Sequence, residues 1–218
     1  WPASALVSKD SKTLFALGYG LTYSSEKELS ILSVNSGLKN AEVASTGEFF
    51  SKGAAVAPWG LWLDSGDLDK QIASYPTSVG GLIVSKTDYL AQEDALRINW
   101  TQSTGDYVRI SAASPTNLAR ESNGAMELSF SAKSFNGAAT IQISQCDDDT
   151  KCDAILPIKL DLDWYEFSVS LSCFDNLGID MSTISSAFVV KSETMADIGI
   201  ANIRLTPDID ARTSCDGR

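Results

Sequence analysis

Alternation of apolar and polar residues with a period of two is the feature that most constrains how this chain can fold. The stretch 126–133, MELSFSAK, places Met, Leu, Phe and Ala on one face and Glu, Ser, Ser and Lys on the other. The stretch 165–173, YEFSVSLSC, alternates in the same way. Successive side chains of a strand point to opposite faces, so both stretches predict strands with one buried and one wet face.

Further strand patterns follow one another from residue 94 onward. They are LRINW at 96–100, YVRIS at 107–111, ATIQISQ at 139–145, AFVV at 187–190 and IGIANIRL at 198–205. Asn136-Gly137 is a strong hairpin signal between two of them. Upstream, PWGLWLDSGDL at 58–68 is interpreted as the entry strand, the strand with which the β-sandwich begins. The series predicts an all-β fold, an antiparallel β-sandwich or jelly roll.

Composition narrows the class of function. The 218 residues are 44% apolar, enough for a packed core, and carry a net charge of −11. Such an acidic surface repels nucleic acid and anionic lipid, so neither is expected as a partner. No apolar run approaches the ~18 residues of a membrane span. The chain has no histidine, which excludes Ser-His-Asp triads and histidine-based metal sites within it.

The cysteine count favours disulfides. None of the four cysteines, Cys146, Cys152, Cys173 and Cys215, forms a C-x-x-C pair, so neither a redox motif nor a zinc knuckle is indicated. We predict Cys146–Cys152 and Cys173–Cys215 bridges, which imply an oxidising compartment. The alternative is four buried free thiols.

Aromatic side chains near polar groups are the candidate ligand-binding residues, because a sugar ring stacks on an aromatic face. Trp100 shares a strand face with apolar residues and is assigned to the core. The remaining candidates for carbohydrate binding are Trp59, Trp62, Asp64, Tyr107 and Trp164.

Each candidate has a competing structural reading. Trp59 and Trp62 are three apart and point to opposite strand faces, so one is expected in the core and the other exposed. Asp64, with Asp67, also fits a solvated turn. For Trp164 the core and the surface are about equally favoured. Tyr107 lies opposite the core-facing Val108 and is expected to be exposed.

The segment CDDDTKC, 146–152, is a second candidate site. Asp147, Asp148 and Asp149 offer hard oxygen ligands for calcium, the only cofactor that the sequence suggests. Consecutive carboxylates do not easily face one ion and lack EF-hand spacing. A solvated hairpin pinned by a disulfide is the favoured alternative.

The stretch TLFALGYGLTY, 13–23, raises a separate question. It lacks the lysine of a P-loop and the third glycine of a dinucleotide fingerprint, so a glycine turn packed by aromatics is the favoured reading. It resembles the segment LFPFGYGLSY that closes the second domain of family 3 glycoside hydrolases. The match includes Leu14, Phe15, Gly18, Tyr19 and Gly20, and Trp1-Pro2 stands where that family has Trp-Pro.

The rest of the chain resembles the extra C-terminal domain of some bacterial exo-β-glucanases of that family, a galactose-binding-like jelly roll. The matching stretches are DALRINW at 94–100, WYEFSVSLSCF at 164–174 and IGIANIRL at 198–205. The resemblance implies that 1–24 is the end of an α/β domain and that 58–218 is the β-sandwich. The Ser-, Ala- and Gly-rich segment 25–57 between them is interpreted as a linker or a connection along the surface.

The resemblance also implies a function. Family 3 enzymes use a barrel aspartate and a glutamate from the second domain for retaining hydrolysis, and neither motif occurs here. We therefore expect a non-catalytic accessory module of a secreted or periplasmic β-glucosidase or exo-β-glucanase that assists β-glucan binding. The alternative is a structural module that braces the catalytic domains of the same polypeptide or mediates assembly without a ligand.

Overall fold

The structure is a computed structural model that describes residues 4–7, 13–16, 47–66, 68–103, 105–147, 155–207 and 215. The chain divides into two compact units, Trp1–Ala44 and Ser45–Arg218. In the first unit, β1 (Ser4–Val7) and β2 (Thr13–Ala16) form an antiparallel pair. The remainder of the opening motif, 17–23, lies outside the described residues.

The second unit is built from two sheets, here called sheet 1 and sheet 2. The strands are β3 (Glu48–Ser51), β4 (Ala54–Ala55), β5 (Trp59–Ser65), β6 (Leu68–Gln71), β7 (Thr77–Val79), β8 (Leu82–Thr87), β9 (Ala95–Trp100), β10 (Tyr107–Thr116), β11 (Met126–Ser134), β12 (Ala139–Cys146), β13 (Leu156–Leu160), β14 (Tyr165–Ser170), β15 (Ile184–Lys191) and β16 (Ala196–Pro207). Two short helices, α1 (Ala119–Asn123) and α2 (Leu171–Asn176), complete the described elements.

Strand order distinguishes the two sheets. Sheet 1 runs β13-β12-β15-β10-β5-β6, and sheet 2 runs β14-β11-β16-β9-β8-β7, with β3 paired to β16 and β4 paired to β3. The strand pairs among the described residues are antiparallel, which confirms the predicted all-β antiparallel sandwich.

The core lies between the two sheets and is filled by the apolar face of each alternating strand. Phe130 of β11 in sheet 2 meets Phe188 of β15 in sheet 1, with ring centroids 5.3 Å apart. Trp100 is buried as predicted, and its indole N–H donates a 2.8 Å hydrogen bond to the Asp106 carbonyl. The polar side chains of the same strands are left on the two outward faces.

Three local expectations differ from the structure. Asn136-Gly137 predicts a hairpin, but β11 lies in sheet 2 and β12 in sheet 1, so the two strands do not pair and this connection crosses from one sheet to the other. The Ser, Ala and Gly content of 25–57 predicts a linker, but β3 and β4 lie within this segment. Phe49 and Phe50 are fully buried there, and Phe50 pairs with Ile203 of β16. The second compact unit therefore begins before residue 58, because burial of two adjacent phenylalanines stabilises an ordered strand at this position.

The strand predicted over 165–173 is also shorter than expected. β14 ends at Ser170, and α2 carries Leu171 and Cys173 into the core from a helix. The alternating pattern at 171–173 does not distinguish a strand from a short helix, because a helix can also bury both Leu171 and Cys173. No helix among the described residues is long and apolar enough to cross a membrane.

Candidate functional site

The outward face of sheet 1 brings together most of the predicted site residues. Strand register places side chains from successive strands in rows across this face. One row, from β12 to β6, contains Gln142, Lys191, Tyr107, Asp64 and Asp69. The neighbouring row contains Ser144, Val189, Arg109, Trp62 and Gln71. We call this surface the polar-aromatic face.

Trp62 is the exposed member of the predicted tryptophan pair. Trp59 is 8% exposed and packs edge-on against Phe49, with ring centroids 5.1 Å apart. Trp62 is partly exposed and lies directly opposite Arg109 of β10. The Arg109 guanidinium carbon is 5.3 Å from the Trp62 ring centroid, within cation–π range. The two indoles thus point to opposite faces of β5, as the alternation predicts.

Asp64 and Tyr107 form a direct pair beside Trp62. The Tyr107 hydroxyl donates a 2.9 Å hydrogen bond to Oδ2 of Asp64. Burial raises the pKa of Asp64 and the nearby Asp69 charge adds to the effect, while Tyr107 and Arg109 oppose it. Burial, together with the bond to Asp64, raises the pKa of Tyr107 to about 12. At neutral pH the phenol therefore remains a donor.

An ion pair and two hydrogen bonds hold the buried polar side chains of this face in place. Arg109 Nη2 pairs with Asp69 Oδ2 at 2.5 Å, and Arg109 Nη1 donates to Ser111 Oγ at 2.8 Å. Ser111 is in turn hydrogen-bonded to Ser186 at 2.6 Å. Since Asp69 lies on β6 and Arg109 on β10, the ion pair ties an edge strand to the middle of the sheet.

Gly60 leaves space beside the indole. A Cβ at this position would lie 3.2 Å from Nε1 of Trp62 and 2.9 Å from Nε2 of Gln71. Both groups therefore extend over the Gly60 backbone, and a larger residue would displace one of them. The absence of a side chain at this point of β5 therefore lets both groups pack closely on the strand.

Trp164 lies on the other side of the sandwich, away from the polar-aromatic face. It precedes β14 of sheet 2 and packs against Tyr89, with ring centroids 4.8 Å apart. A Cβ at Gly199 of β16 would lie only 2.6 Å from Cη2 of Trp164. The indole thus covers the backbone of sheet 2, and the structure does not bring Trp164 together with the other candidates.

The cysteine predictions are partly tested. Cys173 and Cys215 form the expected disulfide. Cys146 is also disulfide-bonded, but its expected partner, Cys152, lies outside the described residues.

The acidic segment gives no metal centre among the described residues. Asp147 accepts a 2.9 Å hydrogen bond from the Asp180 backbone N–H. Asp148 and Asp149, like Asp67, lie outside the described residues. Within the described part of the chain no group of His, Cys, Asp or Glu side chains is arranged to hold a metal ion. Calcium binding stays a prediction.

Sequence reasoning misses three residues of the polar-aromatic face. Arg109 alternates with Val108 and Ile110 in YVRIS, which predicts its outward direction but not its burial. Asp69 and Gln71 stand in a polar stretch after the entry strand. β6 pairs with β5 as a hairpin. The Gly-Asp sequence at 66–67 is a turn signal that could have predicted this hairpin.

The fold and this face define a galactose-binding domain-like β-sandwich. The Exop_C family model, described as galactose-binding domain-like, matches residues 57–205, and the chain belongs to this family. A comparison with curated proteins finds no match.

Three solved structures are similar to this chain. Exo-1,3/1,4-β-glucanase ExoP from a Pseudoalteromonas species is 20% identical with a TM-score of 0.58, and the match covers 96% of this chain but only 25% of that chain. The extra C-terminal domain of ExoP, solved separately, is 17% identical with a TM-score of 0.55, covering 75% and 94%. A family 30 carbohydrate-binding module of a Clostridium thermocellum cellulosomal cellulase has 15% identity and a TM-score of 0.51, covering 75% and 98%.

Proposed function

We propose that this chain is an accessory carbohydrate-binding module of an exported exo-acting β-glucanase or β-glucosidase, with no hydrolytic activity of its own. The polar-aromatic face of sheet 1 is its β-glucan-binding surface. The observation that carries the proposal is the placement of the partly exposed Trp62 beside Asp64, Tyr107 and Gln71 on one registered face. Membership of the Exop_C family and the likeness to the ExoP C-terminal domain support it.

The chemistry of the face suits a neutral sugar chain. The C–H face of a pyranose stacks on an aromatic ring, and Trp62 is the ring that this face presents. Carboxylate and amide oxygens accept hydrogen bonds from sugar hydroxyls, and Asp64, Asp69 and Gln71 surround the indole. In the same row the Tyr107 hydroxyl oxygen can accept a hydrogen bond while its proton is donated to Asp64, and the Gln142 amide, which donates one N–H to Glu193, has a second N–H to donate.

The expected affinity is modest. One stacked ring contributes about 1 kcal/mol beyond area burial, and exposed hydrogen bonds add little against competition from water. A Kd of about 0.1–1 mM follows from these contributions. Such weak binding suits an accessory module that holds an enzyme near an insoluble or long polymer.

Export of the protein is the second part of the proposal. The Cys173–Cys215 disulfide supports it, because disulfides persist in oxidising compartments.

Affinity electrophoresis in gels containing laminarin, barley glucan or a soluble cellulose derivative tests binding. We expect retardation of the wild type in at least one gel and its loss in Trp62→Ala. Tyr165→Ala is the matched control, because Tyr165 is 53% exposed but lies on β14 of sheet 2. A wild type that migrates equally with and without every glucan rejects the proposal.

A bracing role is the second candidate, favoured by exposed apolar side chains around the Tyr89–Trp164 contact. Leu90, Leu162 and Tyr165 are all more than half exposed and adjoin these two rings in sequence. In that case the module would contact the catalytic domains of the same polypeptide through sheet 2. Absence of glucan retardation, together with destabilisation of a full-length enzyme by Leu90→Ser, would favour this role.

A further inference from the structure

Arg109 is a buried cation that packs against a partly exposed ring. Its side chain is 5% exposed, although its strand position faces outward from sheet 1. The Trp62 indole, 5.3 Å away, is partly exposed. The guanidinium therefore lies against one face of the indole, and it is more deeply buried than the ring.

The guanidinium is held from two sides. Asp69 binds Nη2 from the edge strand β6, while Ser111, bonded to Ser186, accepts from Nη1 within the sheet. A planar fork fixed by two partners presents its flat face in one orientation, which a flexible ammonium cannot do. The cation therefore offers the indole a rigid surface.

Gly60 completes the support along β5. Nε1 of Trp62 lies close to where a side chain at Gly60 would begin, so the pyrrole edge rests over a position without a Cβ. A methyl group there would approach both the indole and the Gln71 amide closely. The orientation of the indole thus depends on the Arg109 guanidinium from the neighbouring strand β10 and on the missing Cβ of Gly60 in β5.

We infer that Arg109 and Gly60 position the indole of Trp62, so that a sugar stacks on its outward face alone. This rests on the proposed β-glucan binding by the polar-aromatic face. Arg109 is a positioning residue that does not touch the sugar; it acts through the ring. Because the guanidinium lies against one face of the Trp62 ring, only the opposite face is left to stack a pyranose.

The test compares two arginines that each pair with an aspartate and pack over an aromatic ring, although the Arg97 side chain is 44% exposed and the Arg109 side chain 5%. Arg97 of β9 also packs over an aromatic ring, 4.5 Å from the Phe135 centroid, and also pairs with an aspartate, Asp197, but it lies on sheet 2. We would make Arg109→Lys and Arg97→Lys in the full chain. The readouts are the indole N–H resonance of Trp62, assigned with Trp62→Phe, and the dissociation constant for laminarin and barley glucan.

Arg109→Lys keeps the charge but not the planar fork that holds the ring, so we expect a shifted Trp62 indole resonance. Glucan binding should weaken by at most about fivefold, the limit set by a ring-orienting contact of about 1 kcal/mol. Arg97→Lys should change neither. An unchanged Trp62 resonance in Arg109→Lys overturns the inference, even if binding weakens, because Arg109 would then act on the sugar directly. If the wild type binds no glucan, the proposed function fails while the resonance still decides whether Arg109 holds the ring.

Gly60→Ala provides a second route if Arg109→Lys does not fold. It leaves Arg109 in place, and the added methyl group presses on both the Gln71 amide and the Trp62 indole, so a small shift of the indole resonance and weaker binding are expected. If Gly60→Ala keeps the wild-type indole resonance and the wild-type affinity for glucan, Gly60 does not help to position the indole. Gly47→Ala is the control for an added methyl group, because a Cβ there would lie no closer than 3.4 Å to its nearest neighbour, Leu205.

Discussion

Tyr107 and Asp64 lie directly opposite each other on β10 and β5, and the Tyr107 hydroxyl donates a 2.9 Å hydrogen bond to the Asp64 carboxylate. The pair lies in the row next to the Trp62–Arg109 contact. Because burial raises the pKa of Asp64, its carboxylate is less favourable in the folded chain than in the unfolded one. This relationship makes the stability of the protein depend on pH.

Asp64→Asn should raise the free energy of unfolding at about pH 7, because asparagine keeps an acceptor for Tyr107 without a charge to desolvate. The folded-state pKa of Asp64 is raised, so the native state holds the proton more tightly and wild-type stability rises as pH falls through that pKa. The advantage of Asp64→Asn should therefore shrink toward about pH 4, near the ordinary aspartate pKa. Urea unfolding at several pH values measures this; a difference independent of pH contradicts it. Asp175→Asn, at an exposed position on α2, is the control.

Trp59→Ala should destabilise the fold strongly, by about 3–5 kcal/mol, because it empties a core position against Phe49. The loss should appear in urea unfolding. Trp62→Ala should cost only about 1 kcal/mol, since its ring is partly exposed and its main contact is Arg109. Similar unfolding midpoints for the two variants would contradict this assignment of core and surface.

Cys215→Ala should lower the free energy of unfolding by about 4 kcal/mol, the chain-entropy value for a bridge across 42 residues. The wild type treated with a reductant should lose more than this, because the disulfide of Cys146 is reduced as well. Thiol titration of the unfolded, unreduced wild type should find essentially no free thiol. Four titratable cysteines would reject the oxidising compartment.

Gly199→Ala should destabilise sheet 2 by about 1–3 kcal/mol, because the new methyl group meets the Trp164 ring. The same substitution in a Trp164→Ala background should cost less, because the clashing ring is gone. Urea unfolding of the four proteins in the double-mutant cycle measures the coupling. An additive cycle would mean that Trp164 does not rest on Gly199 in solution.

The isolated chain should not hydrolyse aryl β-glucosides. Asp64 and Asp69 are opposite each other on β5 and β6, but one is bonded to Tyr107 and the other to Arg109. Retaining hydrolysis needs a free nucleophile and an acid across the glycosidic bond. Release of the aryl group is the measurement. Turnover that persists in protein from a second expression host, and disappears in Asp64→Asn, would contradict the non-catalytic proposal.

Strand alternation alone determined much of this fold. The period of two in 126–133 and 139–145 predicts the strands β11 and β12, because the pleat assigns alternate residues to opposite faces. The same rule separates Trp59 from Trp62 and places Trp100 in the core. These are local consequences of backbone geometry.

What only the tertiary structure decided is which strands lie side by side. Sequence could not place Arg109 against Trp62 or tie it to Asp69, because those contacts depend on β10, β5 and β6 being neighbours in sheet 1. It also could not send Trp164 to sheet 2, since alternation gives the face of a side chain but not the sheet that it covers. The residues of the polar-aromatic face come from segments far apart in the chain, and only packing of the shared core brings their outward sides together.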